Sequence, residues 1–423
     1  MKKLSQILII FILPILLFSQ ERIFYSADKF QGSETNQGPI KEYFGNVKLV
    51  QGDVTITCNY AKLFENTNIS YLNGNVKLVQ KDLTMKTEEA TYYGNRKFTK
   101  SDLELEITDD KTYLKAMSGD YNSMTNIANF YKQVYIEDDS VIVNSNFLRY
   151  NKNTQDSYAY NNVLIKGKFN NSYLLSDTLE YFPKKKYSIS YGKPSLYQID
   201  TLEANEEGVV FDTLSIASDT MEAFRYIDDE HYKFTDSVVI IRQNIMATSG
   251  AALYNQSKET FELTESPLIW YDNSQLYGDS VHISLEEKKL KRIMAIGDAF
   301  SISKEIEEYA SFLNQISGFY IEMLYEDGKI NQIITQDNAK SLYFSQNEAG
   351  AVDAHKHDCN RIEMFFLNDE IEKINFLGNV NASVIPYQDI RKNVKNFYLP
   401  RYQWSEEIPK TKKLENKNNY FEL

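Results

Sequence analysis

Three potential metal ligands stand close together near the C-terminal end of the sequence. His355, His357 and Cys359 are spaced two residues apart. In a strand, their side chains would lie on one face, where imidazole and thiolate groups could bind zinc. However, the cluster occurs once, has no fourth ligand nearby and lies in a polar connection between two candidate hairpins. We therefore interpret the segment as a loop without a metal, and we expect no cofactor.

Asp177, Asp219 and Asp279 could suggest a second kind of chemistry, because glycoside cleavage requires two carboxylates facing one bond. Each follows a small residue, at the same place in successive sequence repeats. This placement indicates residues at chain corners, arranged in a row along a stack. The sequence contains no glycine-rich phosphate loop, nucleophile elbow, HExxH motif or paired CxxC motif. We expect a protein without enzyme activity.

Repeats of about thirty residues organise the chain. The phrase GNVKLVQ occupies residues 45–51 and recurs at residues 74–80, 29 positions later. The same frame reaches Val163, slips between Val163 and Val238 and then resumes, which predicts an insertion or a degenerate unit around residues 183–210. A fixed period of this length predicts one supersecondary unit per repeat, whose apolar face is covered by its neighbours in a stack.

Each repeat is predicted to contain two bent strands. Apolar residues alternate with polar ones, as at Val54, Ile56 and Cys58, which is the pattern of a half-buried strand. Gly-Asn pairs and small-acidic pairs fall near the strand centres, where they suit a bulge-like corner. We predict an all-β, elongated stack of bent antiparallel strands that forms a V. The second set of corner pairs comprises Cys58-Asn59, Thr87-Glu88, Ser145-Asn146, Ser176-Asp177, Ser218-Asp219, Ser249-Gly250 and Gly278-Asp279.

The C-terminal part has longer units. Segments beginning at Ile321 and Ile362 match each other, and each reads as a strand, a tight turn and another strand. They are predicted to be hairpins that continue the stack. The preceding SKEIEEYASFLNQIS segment could form a short helix or a loop. Residues from Leu399 onward, rich in lysine and containing two prolines, are predicted to form a flexible extension.

The sequence predicts four regions. Residues 1–19 read as a secretory signal, with basic residues, an apolar stretch and a small residue before the cleavage point. Residues 20–302 form the repeat region, residues 303–390 the C-terminal hairpin region and residues 391–423 a polar tail. The mature chain is expected to be exported and soluble, although anchoring by an uncleaved signal stays open.

Composition narrows the range of partners. The formal net charge is −13, so a nucleic-acid partner held by a basic surface is not expected. Only two cysteines occur, Cys58 and Cys359, which is too few for a disulfide-stapled scaffold. We expect two separate buried thiols.

Alternating aliphatic residues form inward-facing stripes along the predicted stack. If the V is partly open, these stripes line a groove for acyl chains; if its two halves close on each other, they form an ordinary core. Alternation alone leaves both interpretations open. The stripe residues are Val47, Leu49, Val54, Ile56, Val76, Leu78, Leu83, Met85, Val134, Ile136, Val141, Val143, Val163, Ile165, Leu174, Val238 and Ile240.

The repeated GNV phrase, the small-Asp corners and the segment FLNQISG at 312–318 leading into IEMLYEDGKI resemble the OstA-like family, related to the periplasmic lipopolysaccharide-transport bridge. The resemblance runs from about Ile23 to Pro386. It implies a β-taco, also called a β-jellyroll, that shields lipid A acyl chains during transfer to the outer membrane. It also implies a periplasmic location, with association with the outer membrane left open.

By the same resemblance, the expected partners are lipopolysaccharide and other taco-fold transport domains, or a second copy, joined through edge strands. The chain is much longer than the short bridge proteins, which leaves open whether it bridges alone or acts as an accessory. The alternatives are a secreted β-repeat protein of structural or adhesive function with a closed core, and a polysaccharide-processing enzyme. Polar turns between consecutive strands favour antiparallel neighbours and hence the groove.

Overall fold

The protein is built almost entirely from antiparallel strands. The computed structural model describes residues 23–409 except 37, 110, 170, 206–207, 227–228, 305–311, 327, 347–351 and 369. The predicted signal peptide and residues 305–311 of the predicted helix or loop lie outside these residues. Within the described part of the chain, no helix is both long and apolar enough to span a membrane. The all-β prediction is confirmed.

Contacts divide the chain into two units, Met1–Asn126 and Ile127–Leu423. The strands of the first unit are β1 (Phe24–Ser26), β2 (Lys29–Thr35), β3 (Gly38–Gln51), β4 (Val54–Phe64), β5 (Ile69–Gln80), β6 (Leu83–Tyr93), β7 (Phe98–Ser101), β8 (Leu105–Thr108), β9 (Tyr113–Ala116) and β10 (Ser118–Asn122).

The second unit begins with the long strands of the repeats and ends in a short helical segment. Its elements are β11 (Ile127–Glu137), β12 (Val141–Asn151), β13 (Ser157–Gly167), β14 (Ser172–Phe182), β15 (Tyr187–Tyr191), β16 (Ser195–Asn205), β17 (Gly208–Ala217), β18 (Thr220–Tyr226), β19 (Asp229–Arg242), β20 (Ile245–Asn255), β21 (Thr260–Thr264), β22 (Leu268–Tyr271), β23 (Ser274–Tyr277), β24 (Ser280–Glu286), β25 (Lys289–Ser303), β26 (Asn314–Glu326), β27 (Lys329–Gln346), β28 (Val352–Leu367), β29 (Glu370–Leu377), β30 (Asn381–Ile385) and α1 (Tyr387–Ile390).

Corners lie at the Gly-Asn pairs, where the sequence predicts them. The pairing of β3 with β4 shifts register between Phe44 and Val47, and the two residues skipped, Gly45 and Asn46, have φ angles of 71° and 46°. Positive φ at two successive residues turns the strand sharply and favours glycine or asparagine. The prediction of strands bent at the centre is therefore confirmed. The same conformation recurs at 74–75, 132–133, 161–162, 192–193, 236–237, 265–266, 297–298, 337–338 and 378–379.

In most of the second corner pairs, the small residue stabilises the bend. The hydroxyl groups of Ser145, Ser176 and Ser218 donate to the carbonyl oxygen two residues ahead, at 3.1, 3.2 and 2.8 Å. The thiols of Cys58 and Cys359 make the same contact at 3.2 and 3.3 Å. Both cysteines are buried and free, as predicted. Cys359-Asn360 is thus a corner pair that the sequence analysis missed.

The acidic or amide member of several pairs packs against the neighbouring corner. A Cβ atom built on Gly74 would lie 2.7 Å from Asn59 Nδ2, and one built on Gly192 would lie 2.6 Å from Asp177 Cβ. The backbone amide of Asp279 also donates to the carbonyl oxygen of the Gly297 corner, at 2.8 Å. These aspartates therefore serve corners, which confirms the structural interpretation.

The expected irregularity around residues 183–210 has a specific form. The corner at Gly192 and Lys193 lies 31 positions after the one at Asn161 and Asn162, so the repeat frame continues through this stretch. The additional residues form the hairpin of β16 and β17, which pair with each other from Ser195 opposite Ala217. The frame slip is therefore an elongated hairpin and not a degenerate corner.

The C-terminal hairpins continue the antiparallel stack, as predicted. β26 pairs with β27, β27 with β28, and β28 with β29. The predicted boundary at residue 302 falls within β25, which pairs with β26. The division of the mature chain at that residue stays a prediction.

The prediction of a flexible extension from Leu399 is wrong for residues up to 409. Ile390, Val394 and Leu399 are buried in a cluster that includes Phe300 and Phe344. Backbone groups of residue 405 also form two hydrogen bonds with the Gln275 side chain. The extension is held because the outer face of β25, β27 and β28 is apolar here, and the segment covers it.

Candidate functional site

Corners divide the sheet of each unit into two walls. In the second unit, wall A comprises the strands β16, β17, β22, β23 and β30. It also includes one half of each long strand, on one side of its corner, such as residues 238–242 of β19. Wall B comprises the short strands β15, β18, β21, β24 and β29 and the other half of each long strand, such as residues 229–235 of β19. In the first unit, β1, β8 and β9 belong to wall A, and β2, β7 and β10 to wall B. The interior lies between the walls.

Most of the predicted stripe residues are fully buried. These are Val47, Leu49, Val54, Ile56, Val76, Leu78, Met85, Val134, Val163, Val238 and Ile240. The remaining six are half-buried: Leu83, Ile136, Val141, Val143, Ile165 and Leu174. Five of these six lie on β11 to β14, at the beginning of the second unit.

Cross-strand pairing brings the stripe residues into rows. In the first unit, Leu49 lies opposite Ile56, Ile56 opposite Leu78, and Leu78 opposite Met85. In the second unit, the corresponding row joins Ile136, Val143, Ile165 and Leu174. It then extends through residues that the sequence analysis missed because the frame slipped at the elongated hairpin: Leu196, Ile216, Ile269 and Leu276.

Hydrogen bonds close the interior of the first unit. The Tyr121 hydroxyl donates to Gln80 Oε1 at 2.7 Å, and the Tyr92 hydroxyl donates to Gln51 Oε1. The tyrosines belong to wall B and the glutamines to wall A. All four side chains are buried. Burial raises the pKa of Tyr121 to about 12, so the phenol remains a donor at neutral pH.

An ion-pair cluster links the walls of the second unit. Arg242 Nε lies 2.6 Å from Asp212 Oδ2, and Arg242 Nη2 lies 3.6 Å from Asp200 Oδ2, all on wall A. Lys288 Nζ, from the turn between β24 and β25 on wall B, lies 2.6 Å from Asp200 Oδ1. The Asp212 and Arg242 side chains are only 1% and 13% exposed, so these charges are largely shielded from solvent.

A cavity of about 250 Å³ lies between the walls near the C-terminal end of the second unit. Leu276, Ser301 and Ser341 line it from wall A, and Met323 and Met364 from wall B. On the outer side, Tyr271 bridges the walls: its hydroxyl donates to the Gly328 carbonyl oxygen at 3.2 Å. The lining is mixed: wall A contributes serine hydroxyl and aliphatic groups, and wall B contributes thioether and aliphatic groups and the Tyr325 ring.

The interpretation of His355, His357 and Cys359 as loop residues is wrong, because all three lie within β28. His355 Nε2 is 3.0 Å from Ser345 Oγ, and His357 Nδ1 is 3.1 Å from Ser341 Oγ. Cys359 serves a corner instead. No group of three His, Cys, Asp or Glu side chains that could hold a metal occurs among the described residues.

The first two and the last two strands of the chain each pair with a single other strand among the described residues. Among the described residues, β1 and β2 pair with β3 alone, and β29 and β30 pair with β28 alone. Each of these four strands therefore presents one row of backbone groups that another strand could pair with.

Comparison with known proteins supports the resemblance. Residues 20–170 match the family model described as OstA-like protein, so the predicted family is confirmed over that stretch. No curated protein sequence matches the chain. A solved structure with similarity is LptH from Pseudomonas aeruginosa, the LptA-homologous periplasmic component of the lipopolysaccharide transport device. It is 12% identical, the match covers 34% of this chain and 96% of that one, and the TM-score is 0.26.

Proposed function

Because residues 20–170 of this chain belong to the OstA-like family, we propose that the protein binds lipopolysaccharide in the periplasm and shields its acyl chains during transfer to the outer membrane. The acyl chains lie between the walls of the bent sheet, and the sugar and phosphate groups remain in water. Binding depends on apolar burial, so an acidic protein can perform it. No catalytic step is part of the proposal.

The half-buried aliphatic side chains of β11 to β14 carry this proposal. Val143 and Ile165 pair with each other on the interior face and are half-buried. Their counterparts in the first unit, Ile56 and Leu78, also pair with each other but are fully buried. The same repeat position is therefore closed in one unit and partly accessible in the other.

Burial of acyl chains against such a surface is favourable. Each methylene group removed from water contributes roughly 0.8 kcal/mol. A chain segment of about ten methylene groups would then gain several kcal/mol, even after the cost of ordering the chain. The length of the aliphatic row in the second unit, which runs from Ile136 to Leu276, suits a ligand with several chains.

Edge strands suit the partners that the proposal requires. β1 and β2 at one end of the pairing order, and β29 and β30 at the other, have backbone groups available for strand addition. We assign them to pairing with other taco-fold transport domains or with a second copy of this chain. Backbone pairing would extend the row of interior side chains from one protein to the next.

Site-specific photocrosslinking to lipopolysaccharide tests the proposed function. A photoreactive residue at Val143 or Ile165 should form lipid adducts. Asn144 is the matched control, because it is also half-buried but lies next to Val143 on the opposite face of β12. Adducts at the two interior positions and none at Asn144 support a lipid groove. Equal adducts at all three positions, or none, contradict it.

The closed interior of the first unit favours the second candidate, a structural or adhesive protein with a closed core. Tyr121, Tyr92 and their glutamine partners join the walls there. A photoreactive residue at Ile56 separates the two candidates within this unit. Adducts at Val143 without adducts at Ile56 would limit the groove to the second unit, whereas no adducts at either position would favour the closed-core protein.

A further inference from the structure

The interior row of wall A changes its chemistry along the second unit. From Ile136 to Leu276 every paired interior residue of the row is apolar. Beyond Leu276, the residues opposite one another are Ser301, Ile316, Ser341 and His357. Polar groups thus enter a row that is otherwise aliphatic, and they do so where the cavity lies.

Wall B shows no such change. Its facing row joins Ile293, Met323, Ile333 and Met364 through successive strand pairs. These side chains line the same cavity as Ser301. The cavity therefore has serine hydroxyl groups along wall A, whereas along wall B the one lining hydroxyl among the described residues, that of Tyr325, already contacts Met323 Sδ at 3.6 Å.

The hydroxyl group of Ser301 is available to form a hydrogen bond with a ligand in the cavity. Ser301 is 7% exposed and lines the cavity. Its hydroxyl makes no hydrogen bond to another described residue, whereas Ser341 Oγ contacts His357 Nδ1. A hydroxyl that lines a cavity and makes no bond to the protein is free to bond a ligand there.

We propose that this cavity is a subsite for an alkyl chain that carries a hydroxyl group, with the chain against wall B and its hydroxyl bonded to Ser301. A hydroxyl is both donor and acceptor and so complements a serine. The volume of about 250 Å³ exceeds the roughly 150 Å³ that accommodates benzene in an apolar cavity, so a chain segment fits. The inference rests on the proposed function, since it adds selectivity within the same interior.

Decanoic acid and 10-hydroxydecanoic acid are the matched probes, because the hydroxyl lies at the end of the chain and the carboxylate can stay in water. Their affinities for the full chain are measured by displacement of N-phenyl-1-naphthylamine fluorescence. We expect the hydroxylated acid to bind more tightly, although its hydroxyl is costlier to bury. Ser301→Ala should lower the ratio of the two affinities about fivefold, the effect of one net hydrogen bond.

Two further variants make the test specific. Ser301→Thr keeps the hydroxyl and should retain the preference. Ser317→Ala removes a similarly buried serine that does not line the cavity and should leave the ratio unchanged; thermal melts check that all variants fold. An unchanged ratio in Ser301→Ala, a wild-type preference for decanoic acid, or no binding of either acid would overturn the subsite.

Crosslinking at Val143 and Ile165 gives an independent result, because these residues lie on β12 and β13, outside the cavity. Lipid adducts there without a hydroxyl preference would reject the subsite and keep the proposed function. A hydroxyl preference that depends on Ser301, without adducts at Val143 and Ile165, would keep the subsite and reject the lipopolysaccharide groove.

Discussion

Tyr121 donates a hydrogen bond to Gln80 across the interior of the first unit, at 2.7 Å, and one repeat earlier Tyr92 makes the same contact with Gln51. In both pairs the partners are 41 positions apart. Because the repeat brings tyrosine and glutamine to the same places, the contact recurs along the stack. The first unit is thus closed by side-chain hydrogen bonds as well as by its apolar rows.

Tyr121→Phe should destabilise the first unit by about 1–2 kcal/mol, because the buried Gln80 carbonyl loses its donor. The free energy of unfolding from urea titration measures the change. Tyr226→Phe is the control, because Tyr226 is half exposed and the change should stay within about 0.5 kcal/mol. Equal effects of the two substitutions would mean that the bond does not hold the walls together.

Gly74→Ala should cost more than an ordinary Gly→Ala change. Gly74 has a φ of 78°, and an added Cβ would lie 2.7 Å from Asn59 Nδ2, so strain and a clash combine. We expect a loss of about 2 kcal/mol or more. Gly328→Ala separates the causes, because its φ is 79° but a Cβ would meet nothing within 4 Å.

Gly32→Ala completes this series. Gly32 has no positive φ, and its Cβ would make only ordinary contact with Phe30. The expected order of destabilisation in urea titrations is Gly74, then Gly328, then Gly32. If Gly328→Ala cost as much as Gly74→Ala, contact with Asn59 would not be the reason for glycine at this corner.

Much of the fold could be predicted from the sequence, because the corners depend on local chemistry. Gly45 and Asn46 adopt positive φ because glycine and asparagine tolerate this conformation better than other residues do. The two hairpins beginning at Ile321 and Ile362 were also readable from their turns. Gly192 and Lys193 were not recognised as a corner, because lysine rarely adopts positive φ and the elongated hairpin that follows hides the period.

The interior was less predictable, because alternation shows which side chains share a face and not how far apart the two faces lie. Val143 and Ile56 have the same pattern in sequence but differ in burial. The docking of Leu399 was missed for a related reason: the apolar outer face that holds it becomes visible only when β25 and β27 are paired through β26.

Arg242→Met should destabilise the second unit by about 3–5 kcal/mol, because Asp212 would keep a buried charge without its partner. Urea titration of the variant measures the loss. Lys291→Met is the matched control: Lys291 and Glu286 form a pair at 2.8 Å whose side chains are more than half exposed, so its loss should be below about 1 kcal/mol. Asp212→Asn in the Arg242→Met background should recover part of the stability.

His357 predicts a pH dependence of stability. Burial, with a smaller contribution from His355, lowers its pKa below the ordinary value of 6.5. The folded protein therefore binds this proton less readily than the unfolded chain, so the contribution of His357 is present above pH 6.5 and is lost as the pH falls below that value. The difference between the melting temperatures at pH 7.5 and pH 5.5 should therefore be smaller in His357→Gln than in wild type. An unchanged difference would show that other groups cause the pH dependence.

Removal of the C-terminal segment should have an effect that depends on where the chain is cut. Truncation after Ile385 removes Ile390, Val394 and Leu399 and uncovers Phe300 and Phe344. Each buried aliphatic side chain contributes roughly 1.5–3 kcal/mol, so we expect a fall in melting temperature and aggregation through the uncovered face.

Truncation after Pro409 is the control. The hydrogen bonds of the C-terminal segment with Gln275 and Tyr277 involve residues up to 405, and this truncation retains them. Its melting temperature should match wild type. Leu399→Asp should act in the same direction as the longer truncation, since it places a charge in the apolar cluster without shortening the chain. If both the longer truncation and Leu399→Asp melted like wild type, the segment would not stabilise the outer face, and the original prediction of an independent extension would be restored.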